Sequence, residues 1–201
     1  MMKELSSQVG REIEILANSH IKRLDVNFVS ELKFNKIGDH DIYIGPYPQN
    51  EEDISLLARS DITGVLNVQT DMDFAHRQIN WNSNLKAFKR HDIEIVRYPI
   101  RDFDAEDLSQ KLKGAAEKLK DLLQDGKSVY VHCTAGMSRA AATVIAYLVL
   151  YDTYSLEEAY EYVKFYRNII CPNMAVLSKV LSNNENQKEI TSKELNNYKY
   201  N

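Results

Sequence analysis

The sequence predicts an α/β fold in which a central, mostly parallel sheet of about five strands is flanked by helices. Short β-branched apolar runs alternate with longer amphipathic ones in the order strand, helix, strand, helix, strand, helix, the pattern in which crossover helices link parallel strands. The 201 residues carry 44% hydrophobic content, enough for one sizeable core. No internal repeat and no break in the middle of the chain is evident. A central domain over residues 34–182 is therefore expected, with a helical extension over 1–33 and a polar tail over 183–201.

In order, Leu5, Val9, Ile13, Leu16, Ile21 and Leu24 recur at helical spacing and predict an amphipathic helix over about the first 25 residues. Residues 34–37 and 41–45 alternate apolar with polar side chains and predict two short strands joined at Gly38-Asp39. Pro46 and Pro48 end the second, and Asn50 with Glu51, Glu52 and Asp53 opens a helix reaching about Ser60. Residues 62–68 form a buried strand by their β-branched content. Residues 69–73 read as an irregular loop, in which Asp71 and Asp73 are further candidates for an acid but are more simply solvated. A helix is expected over 84–91 and a strand over 93–98 that stops at Pro99. After the loop at residues 100–104, Leu108, Leu112, Ala115, Ala116, Leu119, Leu122 and Leu123 form the apolar stripe of a long helix closed by Gly126. Residues 128–131 form a further buried strand, and residues 140–148 a buried helix. A helix capped by Ser155 runs to about Tyr166, and Pro172 opens the last one. From Asn183 the residues are too polar to bury a core of their own.

The net charge of −4 gives no global basic field, so nucleic acid and anionic membranes are disfavoured as partners. No apolar run approaches the roughly 18 to 20 residues of a membrane helix, and the N-terminus has neither a signal-peptide core nor transit-peptide character. Two cysteines, Cys133 and Cys171, are too few for a disulfide framework and fit a reducing, cytoplasmic setting. The five histidines show no paired ligand spacing, so no metal or cofactor is expected.

The chemistry concentrates in His132-Cys133-Thr134-Ala135-Gly136-Met137-Ser138-Arg139, between a strand and a helix. A loop there directs backbone amides and the positive end of a helix dipole at one point, a site for a phosphate-like anion. With Gly136 allowing a tight curl, the amides and the Arg139 fork can hold the non-bridging oxygens while the Cys133 sulfur faces phosphorus. The helix terminus and Arg139 favour the thiolate, so no dedicated base is needed. His132 reads equally as an orienting group or as a satisfied core residue. A proton donor for the leaving oxygen is needed as well, and Asp102 and Asp104, in a loop after a strand, are both placed to supply it. Cys171 beside Pro172 reads as a loop residue, with a reversible disulfide to Cys133 as the alternative.

His-Cys-x5-Arg after a strand, with an upstream acid loop, resembles the signature of the cysteine-dependent dual-specificity phosphatases and implies their fold. The longer match, over residues 34–181, is similar to the starch-excess and laforin-type glucan phosphatases, through residues 41–45, 52–54, 66–69, Asp71, Asp73, 100–105, 130–136, Arg139, Ala140, Pro172 and Asn173. The resemblance implies Cys133 as nucleophile, Arg139 as phosphate clamp and Asp102 as general acid and later base. His132, Thr134, Ala135, Gly136, Met137 and Ser138 would form the phosphate-binding loop and Phe103 a wall of the substrate channel. The implied reaction is two-step hydrolysis through a phosphocysteine, on phosphorylated glucan or, alternatively, on phosphotyrosine and phosphoserine/phosphothreonine proteins. Ser138 stands where such glucan phosphatases have Gly and is shared with protein-directed enzymes, whereas Ala140 matches the starch-excess type. His76 and Arg77 replace aromatic residues of those enzymes, with Phe74 and Trp81 close enough to substitute. No segment outside the catalytic domain fits a carbohydrate-binding module, so a glucan would be held by that domain.

Overall fold

The computed structural model describes residues 32–182. The helix expected over about the first 25 residues and the polar tail lie outside them. Strand β1 (Asn35–Lys36) pairs antiparallel with β2 (Ile42–Gly45), and helix α1 (Glu51–Arg59) follows. Then come β3 (Gly64–Asn67), α2 (Asp71–Arg77), α3 (Trp81–Arg90), β4 (Glu94–Arg97), α4 (Ala105–Gln124), β5 (Val129–His132), α5 (Arg139–Tyr151) and α6 (Leu156–Tyr166). A last helical run covers 174–182.

The five strands form one sheet in the order β1-β2-β5-β3-β4, parallel except at β1. Strand β5 lies between β2 and β3, so that Gly45 and Asn67 flank His132 at its C-terminal end. Its alternation divides the core. Val129 and Val131 pack with α4, α5 and α6 on one face, while Tyr130 packs with Ile54 and Leu57 of α1 and Phe88 of α3 on the other. A ligand site is expected just beyond the carboxyl ends of such strands, and the loop after β5 occupies that position.

Three local expectations are corrected. The irregular loop expected over 69–73 gives way at Asp71 to a helix that runs to Arg77, because Thr70 and Asp73 form a reciprocal capping box that starts α2. Helix α3 starts at Trp81, not 84, because the Asn80 side chain accepts the Ser83 amide at 3.1 Å. The last helix starts at 174, with Asn173 accepting the Val176 amide at 3.2 Å, so Pro172 lies just outside it. The paired strands are also shorter than their apolar runs: Val68 continues beyond β3, its amide donating to the His132 carbonyl at 3.0 Å.

Candidate active site

Cys133 is buried at the end of β5, and the next five residues turn the chain into α5. The carbonyls of this loop are tied to the surrounding protein one after another. Thr134 O accepts the Tyr47 amide at 3.3 Å and Met137 O the Cys171 amide at 2.9 Å. Ala135 O and Gly136 O accept Arg167 Nη2 at 3.3 Å and Nε at 2.8 Å. A planar trans peptide places each following N–H opposite its carbonyl, so tethering these carbonyls outward turns the amides of residues 135–138 toward the centre of the loop. Gly136 has φ +64°, and a Cβ there would collide with the Gly45 backbone, which explains glycine at that position. Ser138, at the cap position of α5, makes no side-chain capping bond.

Arg139, in the first turn of α5, is buried to 2% exposure. Nη1 donates to Asp73 Oδ2 at 2.9 Å and to the Ile100 carbonyl at 2.8 Å. Nη2 donates to Asp73 Oδ1 at 2.9 Å and Thr134 Oγ1 at 3.2 Å, and Asp102 Oδ2 lies 2.9 Å from it. Nε is buried without a partner. Burial pushes the Asp73 carboxyl up, but hydrogen bonds from Arg139 and Thr70 outweigh it and hold the group well below the usual carboxylate range.

The two aspartates left open by composition are separated by geometry. Asp102 faces Arg139, whereas Asp104 caps α4, accepting the Asp107 amide at 2.9 Å, and pairs with Arg101 at 3.2 Å. Phe103 between them has φ +55° and is fully exposed. It stands between two cavities. One, of about 550 Å³, is lined by Cys133, Ala135, Met137, Ser138, Arg139, Asp102 and Cys171. The other, of about 400 Å³, is lined by Thr134, Asp73, His76, Arg77 and Arg101. Asp102 and Phe103 border both.

His132 is placed under the loop. Its ring stacks on Tyr130 at 5.7 Å between centroids, and Nδ1 lies 3.2 Å from the Cys133 carbonyl oxygen. Burial and the nearby Arg139 charge lower its pKa to about 4, so the imidazole is neutral at pH 7. Phe74 and Trp81, close enough in sequence to substitute for the replaced aromatic residues, pack on each other. Their rings stack at 5.0 Å, and the Arg97 guanidinium lies 4.5 Å and 5.1 Å from the two centroids. Asp71 fixes that cation through a 2.7 Å ion pair.

Sequence reasoning missed the pairing of Asp73 with Arg139 and missed Arg167 altogether. A signal for Asp73 existed in the spacing from Thr70, which is that of a capping box. Arg167 had no local signal, since its partners Ala135 and Gly136 lie more than 30 positions upstream. Among the described residues no His, Cys, Asp and Glu cluster could hold a metal ion, and no helix is long and apolar enough to cross a membrane.

The model of the dual specificity phosphatase catalytic domain matches residues 42–186. The chain is 35% identical over 140 residues to phosphoglucan phosphatase LSF1, chloroplastic, of Arabidopsis thaliana, covering 70% of this chain and 24% of that protein. It is 34% identical over 122 residues to phosphoglucan phosphatase DSP4, amyloplastic, of Castanea sativa (60% and 32% covered), and 36% over 103 residues to human dual specificity protein phosphatase 1 (51% and 28%). It therefore spans about a third or less of these relatives' lengths. Among solved structures, a mouse putative dual specificity phosphatase complexed with zinc tungstate superposes with TM-score 0.59 at 26% identity, covering 81% of this chain and 95% of that one. With a family signature in place, its cysteine and a buried arginine at the end of a parallel strand, the chain belongs to the dual-specificity phosphatase family.

Proposed function

We propose that the protein hydrolyses phosphate monoesters of a phosphorylated glucan through a phosphocysteine. The Cys133 thiolate attacks phosphorus while the amides of residues 135–138 and Arg139 hold the non-bridging oxygens. The P–O bond to the leaving group breaks, and Asp102 gives its proton to that oxygen. Asp102, now a carboxylate, takes a proton from water as the water attacks phosphorus, and the P–S bond breaks to release inorganic phosphate. Phosphate takes the place of Asp102 on Arg139 Nη2, which leaves the acid free to face the leaving oxygen.

The observation that carries the glucan reading is Phe103. It is a fully exposed ring beside the catalytic cavity, with open volume on both sides. A chain-like substrate can lie across it with a sugar on the ring and its phosphoryl group at Cys133. The phosphoglucan phosphatases among the relatives support the same reading. A phosphoprotein substrate is favoured by two other observations: Ser138 in the loop, and the use of Phe74 and Trp81 to hold Arg97 instead of facing a ligand.

Phosphate release from solubilised phosphoglucan and from a set of phosphopeptides, each normalised to an aryl phosphate, separates the two. Release from glucan above a Cys133→Ser control is expected, and release from peptides alone would transfer the assignment to phosphoproteins. The domain limits 34–182, an N-terminal helical extension and a polar tail are part of this proposal. So is a reducing, cytoplasmic setting, which two free cysteines support.

A further inference from the structure

Two carboxylates meet Arg139, and they are built differently. Asp102 touches it through one oxygen, from a loop. Asp73 takes both Nη groups at 2.9 Å from α2, 66 positions away in sequence. Asp73 is itself oriented from both sides. Oδ2 accepts the Thr70 amide and hydroxyl, each at 2.7 Å, and Oδ1 accepts the Thr134 hydroxyl at 3.0 Å. The Thr134 hydroxyl is held in turn by Gln69 Nε2 at 3.2 Å.

A guanidinium is planar, with one edge formed by its two Nη groups and another by Nε and Nη2. A carboxylate across the first edge fixes the plane and therefore the direction of the second. Arg139 Nε, buried and without a partner, lies on that second edge, and Nη2, shared by both edges, also meets Asp102 Oδ2 at 2.9 Å and Thr134 Oγ1 at 3.2 Å. We infer that Asp73 is the positioning residue of the oxyanion clamp, gripping the Nη edge of Arg139 so that the Nε–Nη2 edge faces the phosphoryl oxygens. This rests on the reading of Arg139 as the phosphate clamp. Asp73 stays in place when substrate binds, while Asp102 leaves.

The sign of one measurement separates this role from simple electrostatics. Removing a negative charge near an anion site strengthens anion binding by Coulomb's law. Removing the support of the clamp weakens it. Tungstate titrated calorimetrically into the full chain should bind Asp73→Asn about tenfold or more weakly than wild type. Asp102→Asn, in contrast, should bind it at least as tightly as wild type. With an aryl phosphate, Asp73→Asn should raise KM as well as lower kcat. A purely structural Asp73 would lower the melting temperature and leave the tungstate affinity of the folded protein unchanged. Unchanged or tighter binding by Asp73→Asn overturns the inference.

Should Asp73→Asn fail to fold, Asp73→Glu keeps the charge and the acceptor for Thr70 while displacing the carboxylate by one methylene. Weaker tungstate binding is expected from it also, and wild-type affinity would overturn the inference. Arg139→Lys isolates the underlying reading. If it binds tungstate like wild type, the clamp assignment itself is wrong; if it loses binding while Asp73→Asn keeps it, only the role of Asp73 is.

Discussion

Residues 132–139 build one side of the cleft from eight consecutive positions, whereas the opposite side draws Asp73 from α2 and Asp102 and Phe103 from the loop before α4. The contiguous side gets its order from outside itself, through carbonyl tethers to Tyr47, Arg167 and Cys171. The discontinuous side is ordered largely within its own segments, by the Thr70–Asp73 capping box and by Asp104 as the cap of α4. A contiguous motif therefore announces its chemistry in sequence but conceals what holds it. The opposite wall shows its local supports and conceals its target.

Five perturbations, from largest effect to smallest, bear on that contrast. Cys133→Ser should lower turnover of an aryl phosphate by about 10⁴-fold or more, because the proposed nucleophile is lost. Residual turnover near wild type would remove the loop from the chemistry altogether. Asp102→Ala should lower kcat by about 10² to 10⁴-fold, the usual contribution of a positioned proton donor. Equal losses from Asp102→Ala and Asp104→Ala would show that the opposite wall does not divide its work as the contacts suggest.

Arg167→Leu removes the donors to Ala135 O, Gly136 O and the exposed Asn35 side chain, leaving the buried Gly136 acceptor unpaired at a cost of about 2 kcal/mol. Denaturant unfolding should report this loss, and a change below about 0.5 kcal/mol would mean the tether is dispensable.

The fourth perturbation is pH. His132 is held to a pKa of about 4 in the fold against 6.5 in the free side chain, chiefly by burial. As pH falls, the unfolded chain takes up this proton first, so the contribution is complete above about 6.5 and is lost progressively toward 4, at up to about 1.4 kcal/mol per pH unit. Unfolding free energies at pH 7 and pH 5 should differ less in His132→Gln than in wild type; identical differences would argue against a neutral, buried ring. The smallest effect is expected from Asp104→Ala, a cap loss of about 1 kcal/mol with little change in kcat. A larger kcat loss would move Asp104 into the reaction.

How much was readable follows the same division. Alternating apolar runs gave the strands and the order of the larger helices, because sheet and helix periodicities are local. Cys133, Gly136 and Arg139 were legible because a strand, a loop and a helix start coincide in one stretch. Helix α2 escaped because it spans only Asp71–Arg77 and buries Phe74 alone, which leaves too little apolar period to detect. Asp73 then passed for a solvated group, since nothing local indicates a partner 66 positions downstream. The stacking of Phe74 on Trp81 was not legible for a related reason: exposed and internally stacked aromatic rings have the same spelling, and the Arg97 beside them arrives on a strand remote in sequence.

The tethered carbonyls also bear on the rate of repeated turnover. A loop of small residues would ordinarily lose conformational freedom each time it closed around an anion. Here the freedom of residues 134–137 is already lost when the chain folds, through bonds to three separate parts of the molecule. Successive substrates meet a receptor that is already shaped, and product can leave without dismantling it.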